Sequence, residues 1–487
     1  MENLTRALAQ TLLLAVLGAS SVACTEPRTA ADAAHLTPQA QQWLDRAKAS
    51  YRAGDVDDAR DAAQSALAAS PENVEIKVQA ARIHLARLEY AEAVRVLKGV
   101  ETTEARAIRG RAHWYADELE AAADDLEAVL SDPQAKDEWA KAISKLARRG
   151  VSRKPFQISG GLLAPLQMPR IRGTHLVVPV EIDGEPVLAL VATGKGEVVL
   201  DSSTRKEPSW VQLRFGERVS VKDVPVLVED LSGMSKEVGA PIRALLGVNL
   251  LRRLNITFDF GGEQFVVRTR QPAPPPNATR LGIAYAQGGA MVTRISVKQG
   301  GADQLPMLIN TMLPFPIALD EQGWKTAGVD PATLMAVTGS SPPMKSGRLP
   351  FLRLGAFDVP EVPGFFGPSF ADMQAATGMD LHGALGSGML AAFRCTMTDD
   401  GRALWIEDLP QWLIQLLQQQ QQQPGPQGPP PAGPPPGLVP PGPGGAPPPG
   451  GAPPGGGLAP HLEPKAPGGA PPPAPAPAPA PKPKGAQ

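Results

Sequence analysis

The spacing of apolar residues changes twice along this chain, and each change marks a boundary. From Ala40 to about residue 150, small and apolar residues recur every three to four positions, the period of helices packed on one face. After Arg153 the period falls to two. "THLVVPVEIDGEPVLALVATG" (174–194) alternates, turns at Asp183-Gly184 and alternates again, which predicts a β-hairpin. Further strands are predicted at "WVQLRF", "VPVLVE", "NITFDF" and "QFVVRT", while "PIRALLGVNLLRRL" reads as a short helix. "QPAPPPNATR" (271–280) is a Pro-rich linker to a second β-rich stretch, 281–408. Beyond it, 409–423 continues as a helix into a glutamine run. Residues 424–487 are almost wholly Pro, Gly and Ala. Such a tail cannot bury enough apolar surface to offset its ordering entropy, so it is expected to be disordered or extended.

Within the helical part, self-similarity recurs at a period of about 34 residues. In "AQQWLDRAKASYRAGDVDDARDAAQSALAASPEN" (40–73), Trp43, Ala47, Tyr51, Gly54, Ala59, Ala66 and Pro71 occupy the small, aromatic and helix-ending positions that make this unit resemble the tetratricopeptide repeat. A second copy starts at Val74, with Ala81, Tyr90 and Ala93 in register. A looser third runs from Glu104 to Pro133 with Gly110, Ala122 and Leu126. Small residues let paired helices cross closely, and Pro71 and Pro133 close their units, which a generic Ala-rich bundle would not explain. Residues 134–149 read as a solvating cap helix, so the repeats are assigned to 40–150. The resemblance implies a groove that binds a peptide or protein partner.

Composition narrows the functional classes. The 487 residues carry 47 Lys and Arg against 49 Asp and Glu, a net charge of −2, and show no basic stripe, so nothing points to nucleic acid. The two cysteines, Cys24 and Cys395, cannot form a disulfide framework. Residues 1–23 read as a signal peptide, being a short basic start, an apolar run too short to span a bilayer and then small residues. Ser21-Val22-Ala23-Cys24 resembles the lipobox of bacterial lipoproteins, with Ser21 where Leu is usual. The resemblance implies lipidation of Cys24, a tether over 24–39 and a membrane partner through the lipid. The alternative is ordinary cleavage near Ala23, leaving a free thiol. Thr25 is compatible with sorting to the outer rather than the inner membrane, so the expected location is the periplasmic side of the cell envelope. Oligomeric state is open, and a monomer fits the pattern.

The first β region, 156–270, resembles the retropepsin-like aspartic proteases. Its hairpin leads into Ala192-Thr193-Gly194, where that family has Asp-Thr-Gly, and "ALLGVNLLRRLNITFDFGGEQFVV" is similar to the family's Leu-Gly element followed by two closing strands. The second β region repeats the plan. Asn310-Thr311-Met312 falls where the first lobe has Ala192-Thr193-Gly194, and Leu385-Gly386 falls on Leu246-Gly247. The match continues ungapped, pairing Leu254 with Phe393, Ile256 with Cys395, Phe258 with Met397 and Val267 with Ile406. The predicted architecture is therefore multidomain: an all-α repeat solenoid, a bilobal all-β module of aspartic-protease type, and the tail. Cys395, sharing a strand position with Ile256, reads as a buried small hydrophobe.

Aspartic proteases use two carboxylates about 3 Å apart that share one proton and activate a water. Ala192 has no titratable group, and Asn310 keeps the shape of aspartate but cannot take a proton, so both acid positions are substituted and no catalytic residue is assigned. Met312 replaces a glycine and is expected to crowd its loop. Asp183, Asp201, Asp320 and Asp259 read as turn or strand-end residues, and Ser202-Ser203 lacks a nucleophile-elbow pattern. His113 and the other histidines form no spaced cluster, so neither a metal nor another cofactor is expected. The reading is a non-catalytic binding lipoprotein, with Thr193, Gly194, Thr311, Phe215 and Gly216 as candidates for lining a peptide cleft, the last two in a flap-like hairpin. A peptidase with unorthodox residues, or a purely structural module with an empty cleft, are the alternatives.

Overall fold

A computed structural model of the chain describes residues 36–133, 137–171, 173–301, 304–338, 343–367 and 369–408. The signal segment, Cys24, most of the tether, the glutamine-run helix and the Pro-rich tail lie outside them. All the described residues belong to one compact unit.

Among the described residues seven helices come first: α1 (Pro38–Arg52), α2 (Val56–Ala69), α3 (Val74–Ala86), α4 (Tyr90–Val96), α5 (Thr103–Tyr115), α6 (Leu119–Leu130) and α7 (Glu138–Gly150). Five of them start on a side-chain cap. Thr37, Asp55, Asn73, Thr102 and Asp137 each accept a hydrogen bond from the backbone N–H three residues on, satisfying a donor that the helix leaves free. The turn inside each pair holds one residue at positive φ: Gly54, Leu88 and Asp117. The small positions are where helices cross. Ala47, Ala59 and Ala66 are fully buried, and a Cβ on Gly110 would stand 2.9 Å from Leu126.

The first lobe contains β1 (Gln157–Gly160), β2 (Leu163–Gln167), β3 (Val177–Ile182), β4 (Glu185–Ala192), β5 (Val198–Asp201), β6 (Ser209–Phe215), β7 (Val219–Glu229), α8 (Ser232–Val238), β8 (Ile242–Gly247), α9 (Val248–Leu251), β9 (Thr257–Asp259) and β10 (Gln264–Arg268). The second contains β11 (Thr279–Gly282), β12 (Ala284–Ala286), β13 (Ala290–Ile295), β14 (Leu305–Asn310), β15 (Ile317–Leu319), α10 (Glu321–Thr326), β16 (Met335–Ala336), β17 (Lys345–Leu354), β18 (Phe357–Phe366), α11 (Ala371–Thr377), β19 (Gly383–Gly386), α12 (Ser387–Leu390), β20 (Phe393–Thr398) and β21 (Ala403–Asp408).

The two lobes have one topology. The order β3-β4-β8-β5-β7-β6 in the first sheet is repeated as β13-β14-β19-β15-β18-β17 in the second. Polarities match as well: β4–β8 and β14–β19 are parallel, as are β5–β7 and β15–β18, while β5–β8 and β15–β19 are antiparallel. A six-stranded sheet, β11-β21-β20-β9-β10-β2, joins the lobes. At its centre Thr257 faces Thr396, their hydroxyls 2.9 Å apart. The ungapped alignment equates the same two threonines, so this pair marks the pseudo-twofold axis. Cys395 lies beside it, opposite Phe258 and fully buried, and burial pushes its thiol well up from the ordinary value.

Two expectations are corrected. "PIRALLGVNLLRRL" is not a helix throughout: Ile242–Gly247 is the central strand β8, and only Val248–Leu251 is helical. A short apolar run buried on both faces of a sheet has no alternation to distinguish it from a buried helix. α7 keeps the exposed polar row of a cap in Glu138, Lys141, Lys145, Arg148 and Arg149, but it does not end the packing. It packs α6 on one side, and the Trp210 ring lies where a Cβ on Gly150 would fall, so the first lobe closes the solenoid.

Candidate functional site

The hairpin forms as its residues dictate. Asp183 and Gly184 both take positive φ, the turn that matches strand twist, and β4 then runs back to deliver Ala192-Thr193-Gly194 at its end. The loop is held from beneath by Gly247. A Cβ there would fall 2.1 Å from the Glu197 carbonyl oxygen, and Val248 N–H donates to the Lys195 carbonyl at 2.9 Å. The second lobe repeats this. A Cβ on Gly386 would fall 2.0 Å from the Phe315 carbonyl oxygen, and Ser387 N–H donates to Leu313 at 2.8 Å. Glycine is needed at both positions because the loop backbone passes over them.

The two loops meet in a reciprocal lock. Thr193 Oγ1 donates to the Ile309 carbonyl at 2.7 Å and accepts from Thr311 N–H at 3.0 Å; Thr311 Oγ1 donates to the Val191 carbonyl at 2.6 Å and accepts from Thr193 N–H at 3.1 Å. Both threonines are buried. The structure thus brings Thr193, Gly194 and Thr311 together with Ala192 and Asn310. A Cβ on Gly194 would stand 2.8 Å from Asn310 Cγ, so the amide of one lobe covers the glycine of the other. Asn310 Oδ1 accepts from Met312 N–H at 3.2 Å.

Ala192 is fully buried in an apolar cluster with Leu190, Val199, Leu231 and Ile242, and Ile171 and Met312 pack onto it. Met312 is half-buried against this cluster. The segment before β3 crosses the same junction, Thr174 Oγ1 donating to the Pro314 carbonyl at 2.7 Å. Neither Ala192 nor Asn310 carries a titratable side chain; the nearest along the register is His175, which the pairing of Val177 with Leu190 carries to the position opposite Ala192, where it is buried and burial pushes its imidazole down from the ordinary value.

Phe215 and Gly216 are not part of this assembly. Phe215 is fully buried in the core of the first lobe, and the turn that follows lies against β1 and β2, with Leu166 beside Gly216. The registers Glu181↔Arg214 and Glu181↔Pro186 put this turn near the start of β4. Ala192 ends the strand six residues further on, about 20 Å away at 3.3 Å per residue.

The other carboxylates have structural partners. Asp183 Oδ1 accepts from Gln212 N–H, Asp259 Oδ1 from Gly262 N–H, and Asp320 Oδ1 from Gly323 N–H at the start of α10. Burial alone would push the Asp201 carboxyl up, but the Ser203 hydroxyl, Leu231 N–H and Arg243 outweigh it and hold it down at about 2. Among the described residues no group of three or more His, Cys, Asp and Glu is placed to hold a metal ion, and no helix is long and apolar enough to cross a membrane.

One residue that pattern reading passed over is Glu197, three positions beyond Gly194. It is 6% exposed, and its Oε1 accepts from Trp114 Nε1 at 3.2 Å and Trp139 Nε1 at 3.3 Å, with the Tyr115 hydroxyl also bonded to the carboxyl. Burial pushes this carboxyl up, against the pull of the ring donors. The loop of the first lobe is thus gripped by α5 and α7. Further along, Arg252 donates to the Tyr115 carbonyl at 2.9 Å and Arg253 forms a two-pronged pair with Asp117. The second lobe is held by the first repeat: Tyr51 Oη donates to the Thr377 carbonyl, Asp380 N–H to the Arg52 carbonyl, and Arg294 pairs with Asp55.

Among known families the repeats have a match. A model of the tetratricopeptide repeat family matches residues 50–109. Such repeats generally mediate protein–protein interaction. The chain is similar to the crystal structure of a retropepsin-like aspartic protease from Rickettsia conorii, at 15% identity and a TM-score of 0.21, over 28% of this chain and 94% of that one. It is also similar to that of an aspartic proteinase from Irpex lacteus, at 11% identity and a TM-score of 0.33, over 50% of this chain and 97% of that one. No curated protein matches the chain.

Proposed function

We propose that this chain is a non-catalytic envelope lipoprotein that binds a protein partner through its repeats, and that its duplicated protease-like module serves as the rigid body on which those repeats are mounted. The observation that carries the proposal is the environment of Ala192. The position where the family's first acid belongs is a fully buried methyl within an apolar cluster, against which Ile171 and, from the opposite lobe, Met312 pack. Asn310 is committed to its own loop and to Gly194.

The repeats keep a solvated charged row on their first helices, with Lys48 paired to Glu75 and Arg82 to Glu104. Their turn ends, by contrast, are spent on the lobes. Partner binding is therefore assigned to the helix faces, and the lipid on Cys24 would hold the assembly at the envelope.

The test is a peptidase assay of the purified chain from acidic to neutral pH with pepstatin as control, in parallel with the Ala192→Asp/Asn310→Asp double variant. No pepstatin-sensitive cleavage is expected from the wild type. Cleavage that pepstatin abolishes would overturn the proposal.

A further inference from the structure

Where the first repeats meet the second lobe there is a cavity of about 470 Å³, within the size range of small-ligand sites. The α1–α2 turn forms one wall, and β11, β13 and the tip of the β17–β18 hairpin form the other. Five arginines line it, Arg87, Arg280, Arg294, Arg353 and Arg402, against two acids, Asp55 and Asp57. The acids are already taken, Asp55 by Arg294 and Asp57 by Arg87. Arg353 forms its two-pronged pair with Asp358, which is outside the lining.

The other two arginines have little to hold. Among the described residues the Arg280 guanidinium donates only to the Arg402 carbonyl, at 3.4 Å, and Arg402 reaches the Leu88 carbonyl at 3.5 Å and Asp399 at 3.9 Å. Both are exposed. A separate sign of a missing acceptor is Arg294 Nε, which is buried and makes no hydrogen bond among the described residues.

We propose that this cavity is a binding site for a small organic polyanion, one carrying carboxylate or phosphate groups. The planar guanidinium fork matches the oxygens of both, and several forks converging on one void favour a ligand with more than one anionic group. Gly282 and the aliphatic side chains of Leu281 and Ile283 leave room for a compact carbon frame beside the charged groups. Because the wall is shared between repeats and lobe, a bound anion would also tie the two parts together next to the Arg294–Asp55 pair.

The experiment is isothermal titration calorimetry on the full chain at constant ionic strength, with pyrophosphate and citrate as probes. One saturable site is expected. Arg280→Ala and Arg402→Ala should each weaken binding at least tenfold, Arg280→Lys by less, and Asp57→Asn should strengthen it by removing a competing carboxylate. Tighter binding of pyrophosphate would assign the ligand to phosphate compounds, and tighter binding of citrate to carboxylates. Both alanine positions are exposed, so the variants should melt with the wild type. The proposal is overturned if neither probe saturates at fixed ionic strength, or if the two alanine variants bind with wild-type affinity.

Discussion

Replacing Thr311 by valine tests whether the loops are held by the reciprocal lock or merely by the sheets beneath them. Valine keeps the shape and removes one oxygen. In its absence the Val191 carbonyl loses a 2.6 Å donor and Thr193 N–H loses a 3.1 Å acceptor, both at a buried site between lobes. An orphaned buried polar group costs about 1–3 kcal/mol, so the pair should cost about 2–6. A methyl in place of the hydroxyl returns about 1 kcal/mol. The expected loss is near 3 kcal/mol, which at a urea m-value of roughly 3 kcal/mol/M is a midpoint shift of about 1 M. Trp114, Trp139 and Trp210 sit at the junction of repeats and first lobe, so tryptophan fluorescence reports the transition. Thr193→Val should cost a similar amount. The double variant should cost less than the two together, because a loop already released gives up less when its second bond is cut. No titratable group takes part, so the shifts should be equal at pH 5 and pH 8. A midpoint change under 0.2 M for Thr311→Val, or strict additivity in the double variant, would refute the reasoning.

Glu197→Gln preserves the acceptor for both tryptophans. Since burial raises the folded-state pKa of Glu197, its stabilising contribution is complete below the unfolded value of 4.5 and is lost as pH rises through the folded value; the variant should thus gain on the wild type between pH 4.5 and pH 8, measured by denaturant unfolding. The Asp320 hydrogen bond raises His382 above 6.5 despite partial burial. This contribution, about 0.5–1 kcal/mol, should be present below pH 6.5, fade as pH rises through the raised value, and be absent from His382→Asn. Gly247→Ala and Gly386→Ala should each cost at least about 3 kcal/mol or prevent soluble expression, because the new Cβ meets loop backbone at 2.1 and 2.0 Å. Gly233→Ala, where nothing lies within 4 Å, should change the melting temperature little.

How much of this was legible beforehand follows from the range of the interactions involved. The helix pairs announce themselves because their signals are local: a cap, a small residue at each crossing, a turn near Gly54. The duplication was legible for a different reason. Aligning the lobes needs only one chain compared with itself, and the register that equates Thr257 with Thr396 is the one that the shared sheet realises. Ala192 and Asn310 likewise come out as equivalent positions, each ending a strand opposite the turn glycine of its lobe, Gly247 or Gly386. What local pattern could not supply was the direction in which surfaces face. β8 carries no alternation because both its faces are covered, and Phe215 sits in a hairpin that resembles a flap in sequence but turns toward β1 and β2.

The docking of the repeats was the least legible feature, since it depends on residues that look ordinary in their own segments. Trp114, Trp139 and Glu197 belong to no motif in their own segments, yet the three make one buried contact between partners 58 and 83 residues apart in the chain. The contact reaches the first lobe at the loop next to Thr193-Gly194, while Tyr51 and Asp55 hold the second lobe. A solenoid fastened to both halves of a bilobal module opposes their relative motion. A cleft that must open and close to admit and release a substrate would gain nothing from such a brace, whereas a platform that presents a binding face at fixed orientation would. The bracing of the lobes by the repeats and the reciprocal lock between Thr193 and Thr311 are thus two independent contacts that fix the two halves against one another.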